Sequence, residues 1–141
     1  MSLNRIIQMA RRVEFFSIGM SYPVGYTACN MLRLIGIPDA IQSDSHLQVI
    51  AARQLNEGDV AFGISCSGCT HETVQCLKIG RDHQATTLCI ANCLMGPITG
   101  NSDLVLSATP SEVDDLGASP ASRVTQLALL DALFNLLVRI Y

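Results

Sequence analysis

Ser65, Ser67 and Thr70 crowd hydroxyl groups into Phe62-Gly63-Ile64-Ser65-Cys66-Ser67-Gly68-Cys69-Thr70, just where an apolar run opening at Asp59-Val60 gives way to a helical pattern. Hydroxyls at that junction can hold an anion. A turn over the carboxyl end of a strand aims the unpaired N–H groups and the positive dipole end of the next helix at one point. Ser65, Ser67 and Thr70 add side-chain donors, and Gly68 lets backbone approach a ligand closely. Upstream, Val13-Glu14-Phe15-Phe16-Ser17-Ile18 runs into Gly19-Met20-Ser21 and then into an amphipathic helix. Gly19 and Ser21 therefore form a second arm of the same pocket. Neither turn contains Lys or Arg, so the anion is expected to be held by N–H groups, hydroxyls and helix dipoles.

The elements that carry these turns follow from periodicity. Leu3, Ile6, Ile7 and Ala10 lie at helical spacing. After the first strand, Val24, Ala28, Met31, Leu32 and Ile35 mark one helix face, closed by Gly36 and Pro38. A weak strand is expected over 40–43, a helix over 45–55 and a strand from Val60 to Ile64. A helix over 70–82, a buried strand over 85–91, one helical turn over 97–101 and a last strand over 104–107 complete the alternation. A polar loop spans 108–119. The final helix, over 120–140, is apolar on more than one side through Val124, Leu127, Leu129, Leu130, Leu133, Leu136 and Leu137, so it should be covered on two faces.

Strands alternating with helices predict an α/β fold, a three-layer α-β-α sandwich around a parallel sheet of about five strands. Ligands bind such sheets outside the strand carboxyl ends at the topological switch point. The 141 residues read as one domain, large enough for a full core. Hydrophobic residues make up 49% and charged residues 15%, a balance that predicts a subunit interface. A net charge of −3 excludes a concentrated basic nucleic-acid surface on this chain. No apolar run is long enough to cross a membrane and no signal-type core opens the chain, so it reads as cytoplasmic.

Taken together, the G-x-S turn, Ile64 to Thr73 (I-S-x-S-G-x-T-x-E-T), Asn101-Ser102-Asp103 before a strand, and Ser122-Arg123 to Leu130-Asp131-Ala132-Leu133 resemble the SIS (sugar isomerase) domain. The order and wording are most similar to the effector domain of RpiR-type transcription regulators, from about Val13 to the end. The resemblance implies a flavodoxin-like sheet and a phosphosugar ligand touched by Ser65, Ser67, Thr70 and Ser21. It also implies a helix-turn-helix domain ahead of this one, through which alone DNA would be bound, and Met1-Ser2-Leu3 would then open an excised C-terminal domain. The family's first turn usually reads G-x-G-x-S. Ser17 stands here in place of the first glycine and is expected to narrow the pocket slightly.

Other residues invite sharper chemistry. Cys66-x-x-Cys69 and Cys89-x-x-x-Cys93, with His71 nearby, satisfy zinc spacing on paper. Because Cys66 and Cys69 interleave with the phosphate residues, their side chains should diverge, and Cys76 and Cys89 read as small buried hydrophobes. No metal, cofactor or structural disulfide is expected. His46, His71 and His83 read as surface or helix-start residues, and Glu72 as a carboxylate on a helix dipole. Glu112, in the polar loop, is the carboxylate best placed to touch a sugar. Arg123 either caps that loop or reaches across a dimer interface. The leading reading is a non-enzymatic phosphosugar sensor acting as a homodimer. The alternative is a sugar-phosphate isomerase of the same fold, which needs a base at the sugar C1 and C2 protons. A thiol-based redox or zinc module is a distant third.

Overall fold

The computed structural model describes residues 2–108 and 120–139, with the side chains of 120 and 121 left aside. Its elements are α1 (Leu3–Met9), β1 (Val13–Phe16), a 3-10 turn (Gly19–Ser21), α2 (Tyr22–Leu34), β2 (Asp39–Ile41), α3 (Ser45–Arg53), β3 (Val60–Ser65), α4 (His71–Asp82), β4 (Thr86–Ala91), α5 (Pro97–Gly100), β5 (Leu104–Ser107) and α6 (Pro120–Val138). The expected alternation is present throughout. Boundaries differ by a residue or two; β1, for one, stops at Phe16 because Ser17 and Ile18 leave the ladder ahead of the turn.

All pairings are parallel and the strand order is β2-β1-β3-β4-β5. This is the flavodoxin-like order, and its direction reverses between β1 and β3. The two turns singled out in the sequence follow those two neighbouring strands. The register pairs Phe15 with Phe62, and their rings stack with centroids 5.1 Å apart.

Two apolar layers cover the sheet, as a parallel sheet requires. On one face Phe15, Phe62, Ile64 and Leu88 meet α1, α2 and α6 through Ile7, Leu32, Leu130, Leu133 and Leu137. On the other, Phe16, Ala61 and Cys89 meet α3 and α4 through Ala52, Val74 and Leu77. Helix α6 buries Gln126, Leu130, Leu133 and Leu137 and leaves Val124, Leu127, Leu136 and Val138 exposed. The sheet therefore covers only one side of its apolar circumference.

At the amino ends of the strands sits a charged cluster. Glu14 and Asp59 are buried, with Arg12 between them: its guanidinium lies 3.6 Å from each carboxylate, and Arg11 approaches Asp59 at 3.7 Å. Burial pushes the Glu14 carboxyl up to about 7, against the pull of Arg12.

Candidate functional site

Ser65 ends β3 fully buried, and its hydroxyl points into the turn that follows. It lies 2.8 Å from Thr70 Oγ1 and accepts from the Gly68 N–H at 3.1 Å. Ser65 is thus the internal brace of the turn, while Ser67 is exposed and its hydroxyl accepts from the Cys69 N–H at 3.1 Å. Thr70 is the N-cap of α4, yet its hydroxyl makes no capping hydrogen bond because Ser65 engages it. An uncapped start leaves the first-turn N–H groups of a twelve-residue helix without a side-chain acceptor.

The first arm is built differently, because the 3-10 turn runs straight into α2: the Tyr22 N–H donates to the Gly19 carbonyl and Pro23 has no N–H to offer. Ser21, buried, is the N-cap of the thirteen-residue α2 and also makes no capping hydrogen bond. Gly19 takes φ +58°, a conformation that explains the glycine in the G-x-S turn. By contrast, α3 is capped by Asp44, whose carboxylate accepts from the Leu47 N–H. Two uncapped helix starts therefore stand at the carboxyl ends of adjacent strands, at the switch point, and their dipoles reinforce each other there.

Packing explains one glycine of the turns and corrects one expectation. Gly68 (φ +72°) is required by packing whatever approaches it: a Cβ there would lie 2.7 Å from the Cys93 carbonyl and 3.4 Å from the Gly96 Cα. The Ile98 N–H donates to Gly68 O at 3.0 Å, so the loop after β4 buttresses the Ser65–Thr70 turn. Ser17 does not narrow the pocket, because its side chain is fully buried against Gly25 of α2.

The site also contains Gln48, which the sequence did not flag, and Arg123, which it left between a loop cap and a dimer contact. Gln48 of α3 is buried and donates both amide protons, to Ser17 O at 2.9 Å and Gln42 O at 2.7 Å, clamping the chain where it leaves β1 and β2. A lone buried Gln among apolar helix positions was the available signal. Arg123 of α6 donates from Nε to the Met20 carbonyl at 3.3 Å, which ties α6 to the backbone of the first turn. Glu112 lies outside the described residues.

The remaining candidates do not converge. His46, His71 and His83 are all exposed. Cys76 and Cys89 are fully buried, and burial pushes the Cys76 thiol up to about 12 and the Cys89 thiol upward, as inert core thiols should be. Among the described residues no three His, Cys, Asp or Glu side chains are grouped as a metal would need, and no helix is long and apolar enough to cross a membrane.

A flavodoxin-like sheet whose first and third strands run into helix starts without side-chain caps defines an α/β domain with room for an anion at its switch point. The SIS domain model matches residues 6–136, and the chain belongs to that family. It is 34% identical over 130 residues to a helix-turn-helix-type transcriptional regulator of Caldanaerobacter subterraneus subsp. tengcongensis, covering 92% of this chain and 46% of that one. To the helix-turn-helix-type transcriptional regulator RpiR of Escherichia coli K12 it is 27% identical, covering 92% and 44%. The chain spans about half the length of the curated relatives it matches. Among solved structures, the Vibrio vulnificus NanR protein complexed with ManNAc-6P superposes with a TM-score of 0.92 at 27% identity, covering 99% of this chain and 53% of that one.

Proposed function

We propose that this chain is the phosphosugar-sensing domain of an RpiR-type transcription regulator, a single domain over 1–141 that binds no DNA itself. The pairing of uncapped α2 and α4 starts at the switch point carries this reading. Such a site suits a phosphate dianion, with the sugar lying across the two turns. Gly19, Ser21, Ser67, Thr70 and the turn held by Ser65 and Gly68 are the contacts, and Glu112 is a further one to the sugar. The similarity to NanR, whose structure holds ManNAc-6P, supports the ligand class. The helix-turn-helix relatives support a DNA-binding partner domain and a cytoplasmic setting.

Sensing requires two arrangements with different ligand affinity. A homodimer supplies them, its interface formed by the exposed face of α6 around Val124, Leu127 and Val138. The isomerase alternative needs a base beside the sugar. Among the described residues the one carboxylate raised toward neutrality, Glu14, lies at the amino end of β1 and away from the turns.

The test is a thermal-shift comparison of N-acetylmannosamine 6-phosphate and other sugar phosphates with their unphosphorylated parents. A ligand at a hundred times its Kd should add about 2.7 kcal/mol of stability. Equal stabilisation by phosphorylated and parent sugars would remove the phosphate from the recognition. Exchange of the C2 proton of a bound sugar with deuterated solvent would favour the isomerase instead.

A further inference from the structure

Asn92, the first residue beyond β4, is buried between the phosphate turn and α6. Its N–H and that of Cys93 donate to the Cys66 carbonyl in the turn, at 3.2 and 3.1 Å. Its side-chain amide is bonded to α6 and to the end of β5. Nδ2 donates to Thr125 Oγ1 at 3.1 Å and to the Ala108 carbonyl, and Oδ1 accepts from Gln126 Nε2 at 2.7 Å. Gln126 is fully buried, and Thr125 is fixed further by donating to Ala108 O at 3.0 Å. The same segment of α6 supplies Arg123 to the Met20 carbonyl of the first turn.

Both arms of the site are therefore fastened to one stretch, 122–126, of one helix. The Asn92 bonds are buried, so they cannot be exchanged for water without leaving polar groups unsatisfied. A ligand that changes the spacing of the two turns must move that stretch or break those bonds. We infer that Asn92 is a positioning residue which holds the Ser65–Thr70 turn in register with α6, and that α6, through Asn92 and Arg123, registers occupancy of the site. This rests on the phosphate-binding reading above. Helix α6 also carries the exposed apolar residues Val124, Leu127 and Val138 on one side, so the signal arrives on the face proposed for the partner subunit. By linkage, whatever fixes α6 must alter ligand affinity by the same factor.

The test is hydrogen–deuterium exchange of α6 amides, 122–138, in the full chain with and without saturating inorganic phosphate, whose binding is followed separately by thermal shift. Slowing of α6 exchange by threefold or more on binding is expected. In Gln126→Met and Arg123→Met that difference should fall below half its value, with phosphate affinity kept within tenfold. A purely structural role would change exchange equally in the free and bound states and leave the difference intact, which overturns the inference. Phosphate that binds without any α6 response in the unaltered chain overturns it too, and leaves the binding site standing. Absence of phosphate binding overturns both. If Gln126→Met does not fold, Arg123→Met and the unaltered chain decide.

Discussion

Ser17 Oγ occupies the space that a side chain at residue 25 would need: a Cβ built on Gly25 collides with it and also lies 2.8 Å from Ile41 Cδ1. The serine that departs from the family's first glycine is thus absorbed by a glycine one turn into α2. Gly25→Ala should destabilise the chain by about 1–3 kcal/mol through overpacking. Ser17→Gly should restore much of that loss in the double variant and, alone, leave phosphosugar affinity unchanged. Urea midpoints of the four proteins check the coupling. Additive losses would show that the two residues do not share the space.

Ser67 and Ser65 should separate under alanine substitution, although both are serines of one turn. Ser67→Ala removes an exposed hydroxyl available to a charged ligand and should cost about 1.5–3 kcal/mol of affinity with little loss of stability. Ser65→Ala leaves the Gly68 N–H without its acceptor in a buried turn, and should cost about 1–3 kcal/mol of stability as well as affinity. Calorimetric titration beside thermal unfolding distinguishes the two.

Gly68→Ala should be worse than either, because φ +72° and the Cys93 carbonyl 2.7 Å from the new Cβ act together. The left-handed conformation alone costs about 1–2 kcal/mol for a residue with a Cβ. Loss of the turn should abolish phosphosugar stabilisation while the far-UV spectrum stays α/β. Retained ligand response in a folded Gly68→Ala protein would place the phosphate elsewhere.

Glu14 gives the fold a pH dependence. Its carboxyl is raised from 4.5 to about 7, so between those values the folded chain keeps a proton that the unfolded chain releases. The stabilisation is fully present below about pH 4.5 and is lost as pH rises through about 7. At 1.36 kcal/mol per unit the total is about 3 kcal/mol. Glu14→Gln should flatten that part of the stability profile, measured by urea unfolding at intervals from pH 4.5 to 8. A parallel profile in the variant would assign the dependence to other groups.

Val124→Glu and Leu127→Glu should yield a monomer with a native-like melting curve, because both side chains are exposed on the same side of α6. Leu133 and Leu137 are on the opposite, core-facing side, and truncating either to Ala should instead cost about 2–5 kcal/mol of stability. Sedimentation velocity on the four variants tests the assignment. A monomeric unaltered chain at high concentration would refute the dimer.

The alternation of strands and helices, the parallel sheet and the two hydroxyl turns were legible in the sequence because each depends on neighbours in the chain. Periodicity identifies a buried strand or an amphipathic face within a window of about 11–18 residues, and Ser, Thr and Gly mark turns by their local chemistry. The positive φ of Gly19 and Gly68 belongs to that local information. Tertiary structure decided the rest, where residues distant in sequence had to meet. The Cys93 carbonyl demands glycine at position 68; Gly25 takes up Ser17; Gln48 reaches back 31 residues to the Ser17 carbonyl; and Arg123 reaches back 103 to Met20. Likewise Leu133 and Leu137 differ from Leu127 and Leu136 only in which side of α6 the sheet covers. Helical spacing shows that such a helix has apolar sides, but only the packed neighbours determine which of them is core.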